Sequence, residues 1–192
     1  MDTNGNGRRE YSDLVFSYNP HIIELEEEKP KNLYNLYQLA SQRWPESVIA
    51  ARLSLDDLSI DHVTGLAQAG VGVFHLYADD EAKAFDGSYL PDAIHRVHTR
   101  LVELSLRDKV TIVLSGGIAA AEHVVKAIAC GADLVALDFI LQVAWGCALW
   151  ADKGKCPVET AELDQDWGTK RLINLMSAWR DQMLEALGAM GM

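Results

Sequence analysis

One short loop in the sequence carries residue types that could bind a phosphate. Residues 113–118 read VLSGGI, so an aliphatic run ends at a serine and two glycines, and a helical pattern begins soon afterwards. Glycine allows a ligand to approach the backbone, and the N-terminus of a following helix offers free N–H groups and a positive dipole end. The loop therefore predicts an anion site, although a glycine pair alone is a weak signal and a tight turn without ligand is the alternative. The predicted site residues are Ser115, Gly116, Gly117, Ile118 and Ala119.

Two other groups of polar residues could do chemistry. Asp79, Asp80 and Glu81 offer oxygen ligands of the kind that Mg²⁺ or Ca²⁺ prefers, but an acidic loop in solvent is the favoured interpretation because carboxylates are mostly exposed. His95 and His98 lie three residues apart in a helical pattern. We expect their helix to pack on the outside of the domain with one histidine half-buried, because the chemistry of a βα barrel sits on its loops.

The elements that must position the loop follow a regular alternation. Four β-rich apolar runs lack a clean polar alternation, which is typical of strands buried on both faces of a parallel sheet. Helical patterns lie between them, with Gly70 and Gly131 predicted as helix stops, and an earlier helix is predicted over residues 32–44. The strand runs are Val48–Leu55, Val71–Tyr77, Val110–Leu114 and Asp133–Leu137.

This order predicts the α/β class, built of parallel βα units. An open doubly wound sheet and part of a (β/α)8 barrel both fit, since a whole barrel needs about 250 residues. From Arg171 onwards an amphipathic pattern predicts a C-terminal helix that packs on the domain. We divide the chain into an N-terminal segment with a leading helix (1–45), the βα units (46–150), and a loop with the C-terminal helix (151–192).

Composition narrows the function classes. The 192 residues are 49% hydrophobic and carry a formal net charge of −11, so a single domain with a real core is expected. The acidic balance argues against nucleic acid and anionic membranes as partners. Three cysteines and no apolar leader segment predict a cytoplasmic protein without a disulfide framework.

Longer stretches resemble a known family. Residues 95–138 (HRVHTRLVELSLRDKVTIVLSGGIAAAEHVVKAIACGADLVALD) closely resemble the FMN-binding (β/α)8-barrel domain of glutamate synthases. Residues 17–25, the strand VIAARLSL, the cysteine-bearing loop at 146–159 and the helix from Trp167 extend the likeness. The resemblance covers most of the chain but only the C-terminal half of the family's barrel, which makes the four predicted strands roughly the last four of eight.

The resemblance implies a cofactor and its site. In the family, the glycine-pair loop holds the FMN phosphate, and the basic residue of a Val-Lys-Leu triplet lies near the flavin. Carried onto this sequence, that implies phosphate binding at Ser115, Gly116 and Gly117, and a flavin-side role for Arg52 in the triplet Ala-Arg-Leu. An ion pair of Arg52 inside the barrel is the alternative, since arginine keeps the charge but not the compact ammonium group.

Three departures from the family pattern bear on function. Asp138 stands where the family has a glycine-rich turn, and a carboxylate about 5 Å from a phosphate would cost roughly 3 kcal/mol. An acidic segment at 78–87 replaces a Gly-Gly-Thr-Gly stretch. In the resembled iron–sulfur loop only Cys147 and Cys156 remain as a weak, vestigial metal site, so we expect no cluster in the isolated chain. Cys130 is expected to be a buried core residue.

Two hypotheses of function follow. The first is an FMN-dependent oxidoreductase domain of the glutamate synthase type, with a partial barrel. The second is a non-catalytic half-barrel remnant or assembly subunit that keeps at most an anion site. In either case open strand edges and apolar faces predict association, either as a homodimer or with a chain that supplies the missing half barrel.

Overall fold

The computed structural model describes residues 20–26, 30–56, 58–146 and 164–191. Five strands alternate with helices: β1 (Ile22–Glu26), α1 (Pro30–Arg43), β2 (Val48–Ser54), α2 (Ser59–Gln68), β3 (Val73–Tyr77), α3 (Leu90–Glu103), β4 (Thr111–Ser115), α4 (Ala121–Ala129), β5 (Leu134–Val135), α5 (Phe139–Ala144) and α6 (Gln165–Ala189). A 3₁₀ turn at Arg107–Lys109 leads into β4. The predicted α/β class, with parallel βα units and a C-terminal helix, is confirmed.

The strands form one parallel sheet in the order β1-β2-β3-β4-β5. The predicted number of four strands is wrong, because β1 adds a fifth strand from the N-terminal segment. Its sequence IIELE alternates isoleucine or leucine with glutamate, and its side chains alternate between exposed and half-buried. An edge strand of this kind lacks the continuous apolar run by which the interior strands were recognised.

The hydrophobic core lies on one face of the sheet only. Successive strand residues point to opposite faces, and the face with odd-numbered residues in β2 packs under the helices. Its buried members include Leu53, Phe74, Leu76, Ile112 and Leu114. The helices contribute Leu33 from α1, Val63 from α2, Ile94, Val97 and Leu101 from α3, and Trp179 from α6. The other face of the sheet carries mixed polar and apolar residues and receives no helix from the described part of the chain.

Local sequence signals account for the ends of α2 and α4. Gly70 and Gly131 directly follow the C-caps of α2 and α4 and have φ values of 98° and 120°, as predicted for helix stops. The run Asp133–Leu137 yields only a two-residue strand, because only Val113 and Leu114 of β4 pair with it. Cys130 is half-buried at the end of α4 rather than fully buried. Among the described residues, no helix is long and apolar enough to cross a membrane.

Arg107 joins α3, β4 and the turn before β5. Its guanidinium donates to Asp133 Oδ1 at 2.7 Å, to the carbonyls of Val110 and Gly131, and to His98 Nδ1 at 3.1 Å. Asp133 also accepts the N–H of Ile112 at 2.7 Å. The predicted packing of the two histidines is confirmed, with His95 exposed and His98 half-buried. Burial, and next the Arg107 charge, lower the pKa of His98 below its usual value.

This geometry predicts a pH-dependent stability. Because the pKa of His98 is lower in the folded state than in the unfolded chain, the unfolded chain binds more protons in acid. The stabilising contribution is complete above the unfolded value of about 6.5 and is lost as the pH falls below it. Denaturant unfolding from pH 7.5 to pH 5 should show a steeper loss of free energy in the wild type than in His98→Asn, which keeps an acceptor for Arg107. His95→Asn is the matched control, and an equal pH slope in wild type and His98→Asn would contradict the assignment.

Candidate functional site

The glycine pair lies at the carboxyl edge of the sheet, between β4 and α4. Ser115 is the last residue of β4, and α4 begins at Ala121 with Ala120 as its N-cap. Gly116 and Gly117 have φ values of 104° and 61°, a region that favours glycine. The predicted strand–glycine–helix order is therefore present, and it brings all five predicted loop residues together.

The loop that follows β3 packs directly on these glycines. A Cβ added to Gly116 would lie 2.5 Å from the carbonyl oxygen of Ala78, and one added to Gly117 would lie 2.3 Å from the amide nitrogen of Ala82. The Ala78 N–H donates to the Ser115 carbonyl at 3.0 Å. Both glycines are therefore required for packing between two βα loops, whether or not a ligand is bound.

The loop still offers hydrogen-bond donors to a ligand. No acceptor among the described residues receives the N–H of Gly117 or Ile118, whereas the N–H of Ala119 donates to His123 Nδ1 at 3.3 Å. A cavity of about 250 Å³ opens beside this loop, between the starts of α3 and α4. Lys126 lines the cavity, and its ammonium group also pairs with Glu122 at 3.3 Å. Glu81 and apolar residues such as Leu90 line the same cavity, and the loop N–H groups and Lys126 are the groups beside it that could hold an anion.

A series of hydrogen bonds runs across the open face of the sheet, by which we mean the face that receives no helix from the described part of the chain. His75 Nε2 lies 2.8 Å from Ser115 Oγ, and His75 Nδ1 contacts the carboxylate of Glu24. A carboxylate only accepts hydrogen bonds, so Nδ1 donates to Glu24, and the Ser115 hydroxyl is the partner of Nε2. Ser115 is only 6% exposed, so this hydroxyl does not face a substrate. The hydrogen bonds from Glu24 through His75 hold Ser115, the residue that begins the loop, in place.

Arg52 lies on the same open face, beside His75 in the neighbouring strand. Its guanidinium is 3.7 Å from Glu24 and 3.8 Å from Glu26, and it stacks over the ring of Tyr77 at 4.5 Å. The ion pair that was weighed as the alternative role of Arg52 is therefore present. Burial, helped by a hydrogen bond to Glu26, raises the pKa of Tyr77 above its usual value.

The other sequence candidates fall at different places. Asp79 uses its carboxylate to accept the N–H groups of Glu81 and Lys83, at 2.9 and 2.8 Å, so it shapes the turn. The described residues contain no group of three or more potential metal ligands. Asp138 is exposed just before α5. Cys147 and Cys156 lie outside the described residues.

The sequence did not indicate the roles of Glu24 and His75. Each stands singly inside a strand, and their meeting depends on β1, β2 and β3 lying side by side. On β2, Ala50 is opposite Glu24 and Arg52 is opposite His75. The signal that could have found them is the charged alternation in Ile22–Glu26, which marks an edge strand with one polar face.

Comparison with known proteins fits this geometry. The conserved region in glutamate synthase matches residues 78–192, a segment that contains the whole glycine loop. An archaeal-type glutamate synthase [NADPH] of Thermotoga neapolitana is 39% identical over 150 residues, covering 73% of this chain and 28% of its own length. One of Dehalococcoides mccartyi is 29% identical over 199 residues, covering 94% of this chain and 39% of its own length. The archaeal enzyme of Methanocaldococcus jannaschii is 38% identical over 109 residues, covering 52% of this chain and 21% of its own.

The fold and the loop define a parallel βα domain of the kind that forms βα barrels, with a glycine loop at the carboxyl edge. The chain belongs to the glutamate synthase family, and the resemblance seen in the sequence is confirmed. It spans between about a fifth and two-fifths of the length of these relatives.

The glycine contacts predict a large cost for a single methyl group. Gly117→Ala would place a Cβ inside the Ala82 backbone at a left-handed φ, and we expect a loss of about 2–5 kcal/mol of unfolding free energy. The matched control is Gly65→Ala in α2, where nothing lies within 4 Å of the added Cβ and a gain of about 0.5–1 kcal/mol is expected. Chemical denaturation measures both. Equal stability of Gly117→Ala and wild type would show that the two loops do not pack as described.

Proposed function

We propose that the chain is an FMN-dependent oxidoreductase domain of the glutamate synthase type, and that the loop from Ser115 to Ala119 holds the FMN phosphate. The observation that carries the proposal is the pair of N–H groups at Gly117 and Ile118. No acceptor among the described residues receives them, and they lie in the loop that leads into α4, inside the family-matched segment. Such groups bind phosphate well because the helix dipole adds to their own polarity.

The proposed binding roles differ among the residues of the loop and its surroundings. The N–H groups of Gly117 and Ile118 donate to phosphate oxygens, and the Lys126 ammonium adds a positive charge from the wall of the adjoining cavity. Ser115 contributes through position, because His75 holds its hydroxyl and the buried strand end fixes where the loop begins. FMN, when bound, would supply the redox chemistry, while the protein supplies orientation and electrostatics.

Arg52 is the proposed flavin-side residue. It lies on the open face of the sheet near the carboxyl end of β2, where the chemistry of βα barrels takes place. Glu24 and Glu26 flank its guanidinium, so a large part of its charge is balanced within the protein. The proposed role is therefore to position a planar ring by stacking and hydrogen bonding, for which a guanidinium is suited, rather than to neutralise a phosphate.

No iron–sulfur cluster is part of this proposal. The sequence supplies two cysteines in the segment that resembles the family's cluster loop, and such clusters are held by three or four thiolates. Cytoplasmic location is part of the proposal, supported by the sequence, whose three cysteines predict no disulfide framework.

The decisive experiment compares FMN with riboflavin, which has the same ring but no phosphate. Calorimetric titration of the purified chain should show FMN binding at least tenfold tighter than riboflavin binding. Lys126→Gln should weaken FMN binding about two- to five-fold, the range expected for one exposed charge, and leave riboflavin binding unchanged.

Lys109→Gln is the matched control, because Lys109 is also exposed but lies before β4, at the opposite end of that strand. Equal affinity for the two flavins would overturn the phosphate site. Absence of any flavin binding would overturn the proposed cofactor and favour a non-catalytic role.

A further inference from the structure

Glu24 joins two sets of polar contacts on the open face of the sheet. Its Oε2 atom contacts His75 Nδ1, and its Oε1 atom lies 3.7 Å from the guanidinium of Arg52. His75 Nε2 in turn lies 2.8 Å from Ser115 Oγ. The four residues come from four different strands, and together they form a continuous series of polar contacts that we call the cross-strand network.

The two ends of the cross-strand network lie at the two parts of the proposed flavin site. Ser115 ends β4 and begins the glycine loop, so its position helps to set where the N–H groups of Gly117 and Ile118 point. Arg52 is the proposed flavin-side residue, and its Nε atom is buried without a hydrogen-bond acceptor among the described residues. A ligand that supplies an acceptor would relieve the cost of that state.

Arg52 is held loosely at its end of the cross-strand network. Its guanidinium lies 3.7 Å from Glu24 and 3.8 Å from Glu26, which is longer than a normal hydrogen bond, and its side chain is 35% exposed. Ion pairs of this kind contribute little stability, because water and salt screen them. A ligand that engages Arg52 therefore needs little free energy to weaken its hold on Glu24.

The other end of the network is held more firmly. The side chain of His75 is 12% exposed and Ser115 is 6% exposed, so the hydrogen bond between them lies largely out of water. Hydrogen bonds in such surroundings polarise one another, and a carboxylate that gives up one donor accepts more strongly from the donor that remains. Release of Glu24 by Arg52 should therefore strengthen the bonds that hold Ser115 and steady the loop after it.

We propose that Glu24 is a positioning residue that couples the two parts of the site. Binding of a flavin ring at Arg52 strengthens binding of a phosphate at the glycine loop, and linkage requires the converse by the same factor. The identity of the two ligands rests on the proposed function, whereas the cross-strand network consists of protein groups alone.

Glu26 provides a matched control for Glu24. It lies on the same strand, and its carboxylate is 3.8 Å from the same guanidinium. It accepts its hydrogen bond from the hydroxyl of Tyr77 at 3.1 Å and not from His75. Glu24→Gln and Glu26→Gln each remove one negative charge beside Arg52 and keep the side-chain shape, but only Glu24→Gln interrupts the cross-strand network.

The binding test uses the two parts of the ligand as separate probes. Lumiflavin is the flavin ring without the ribityl group, so it has no side chain that could touch a phosphate in the loop. Fluorescence titration measures its affinity in saturating inorganic phosphate and in chloride of equal ionic strength. Phosphate should tighten lumiflavin binding about two- to five-fold in the wild type and in Glu26→Gln, the range for partly exposed charges, and leave it unchanged in Glu24→Gln. An equal effect of phosphate in the two variants, or none in the wild type, would overturn the coupling and leave the proposed function standing.

A second measurement needs no ligand. Arg52→Gln is combined with each glutamate variant, and NMR records the amide resonances of Gly117 and Ile118, while thermal unfolding checks that the variants fold alike. In the Glu26→Gln background the loss of the Arg52 charge should shift both resonances, whereas in the Glu24→Gln background it should not. Equal shifts in the two backgrounds, or no shift in either, would show that Arg52 does not act through Glu24 and would contradict the proposal. Failure of either probe to bind would instead contradict the proposed function, and the amide resonances would then decide whether the network transmits a change.

Discussion

The close approach of two backbone segments at the carboxyl edge of the sheet is the constraint on which the rest of the site depends. The loop after β3 lies so near to Gly116 and Gly117 that neither position has room for a Cβ. At the same place the Ala78 N–H donates a hydrogen bond to the Ser115 carbonyl. This bond holds the ends of β3 and β4 together at the point where their loops diverge. This contact also sets the position of the Gly117 and Ile118 N–H groups, for which the described part of the chain offers no acceptor.

Paired polar groups on the open face also stabilise the site. Glu24, His75 and Ser115 form a hydrogen-bonded chain across β1, β3 and β4, and Arg52 spans the two glutamates of β1. Charged groups that are partly withdrawn from water must be paired, so this face is stable only because donors and acceptors meet. The face therefore has the paired polar groups of a binding site, and its side chains are still partly exposed to solvent.

Membership of the glutamate synthase family accounts for the parallel βα arrangement and the glycine loop of this chain. The matched segment runs from the loop after β3 to the end of α6, and it therefore contains both members of the backbone contact. Two of the three departures from the family pattern, the acidic segment 78–87 and Asp138, also lie at this edge. The acidic segment after β3, where the family has glycines, folds through a turn capped by Asp79, so the close approach is kept with different residues.

The sequence by itself determined the βα alternation, the helix stops at Gly70 and Gly131, the packing of the helix with His95 and His98 on the outside with one histidine half-buried, and the glycine loop. These features depend on local periodicity and on glycine's access to positive φ. Only the tertiary structure decided that Ile22–Glu26 is a strand, that Glu24 reaches His75, and that Arg52 is shared by two glutamates. Those contacts join residues distant in sequence, with Glu24 and His75 51 positions apart, and no local pattern encodes which strands become neighbours. The glycine pair depends on both. The sequence indicates that these two positions need residues without side chains, and only the fold shows that the neighbouring loop after β3 fills the space a side chain would take.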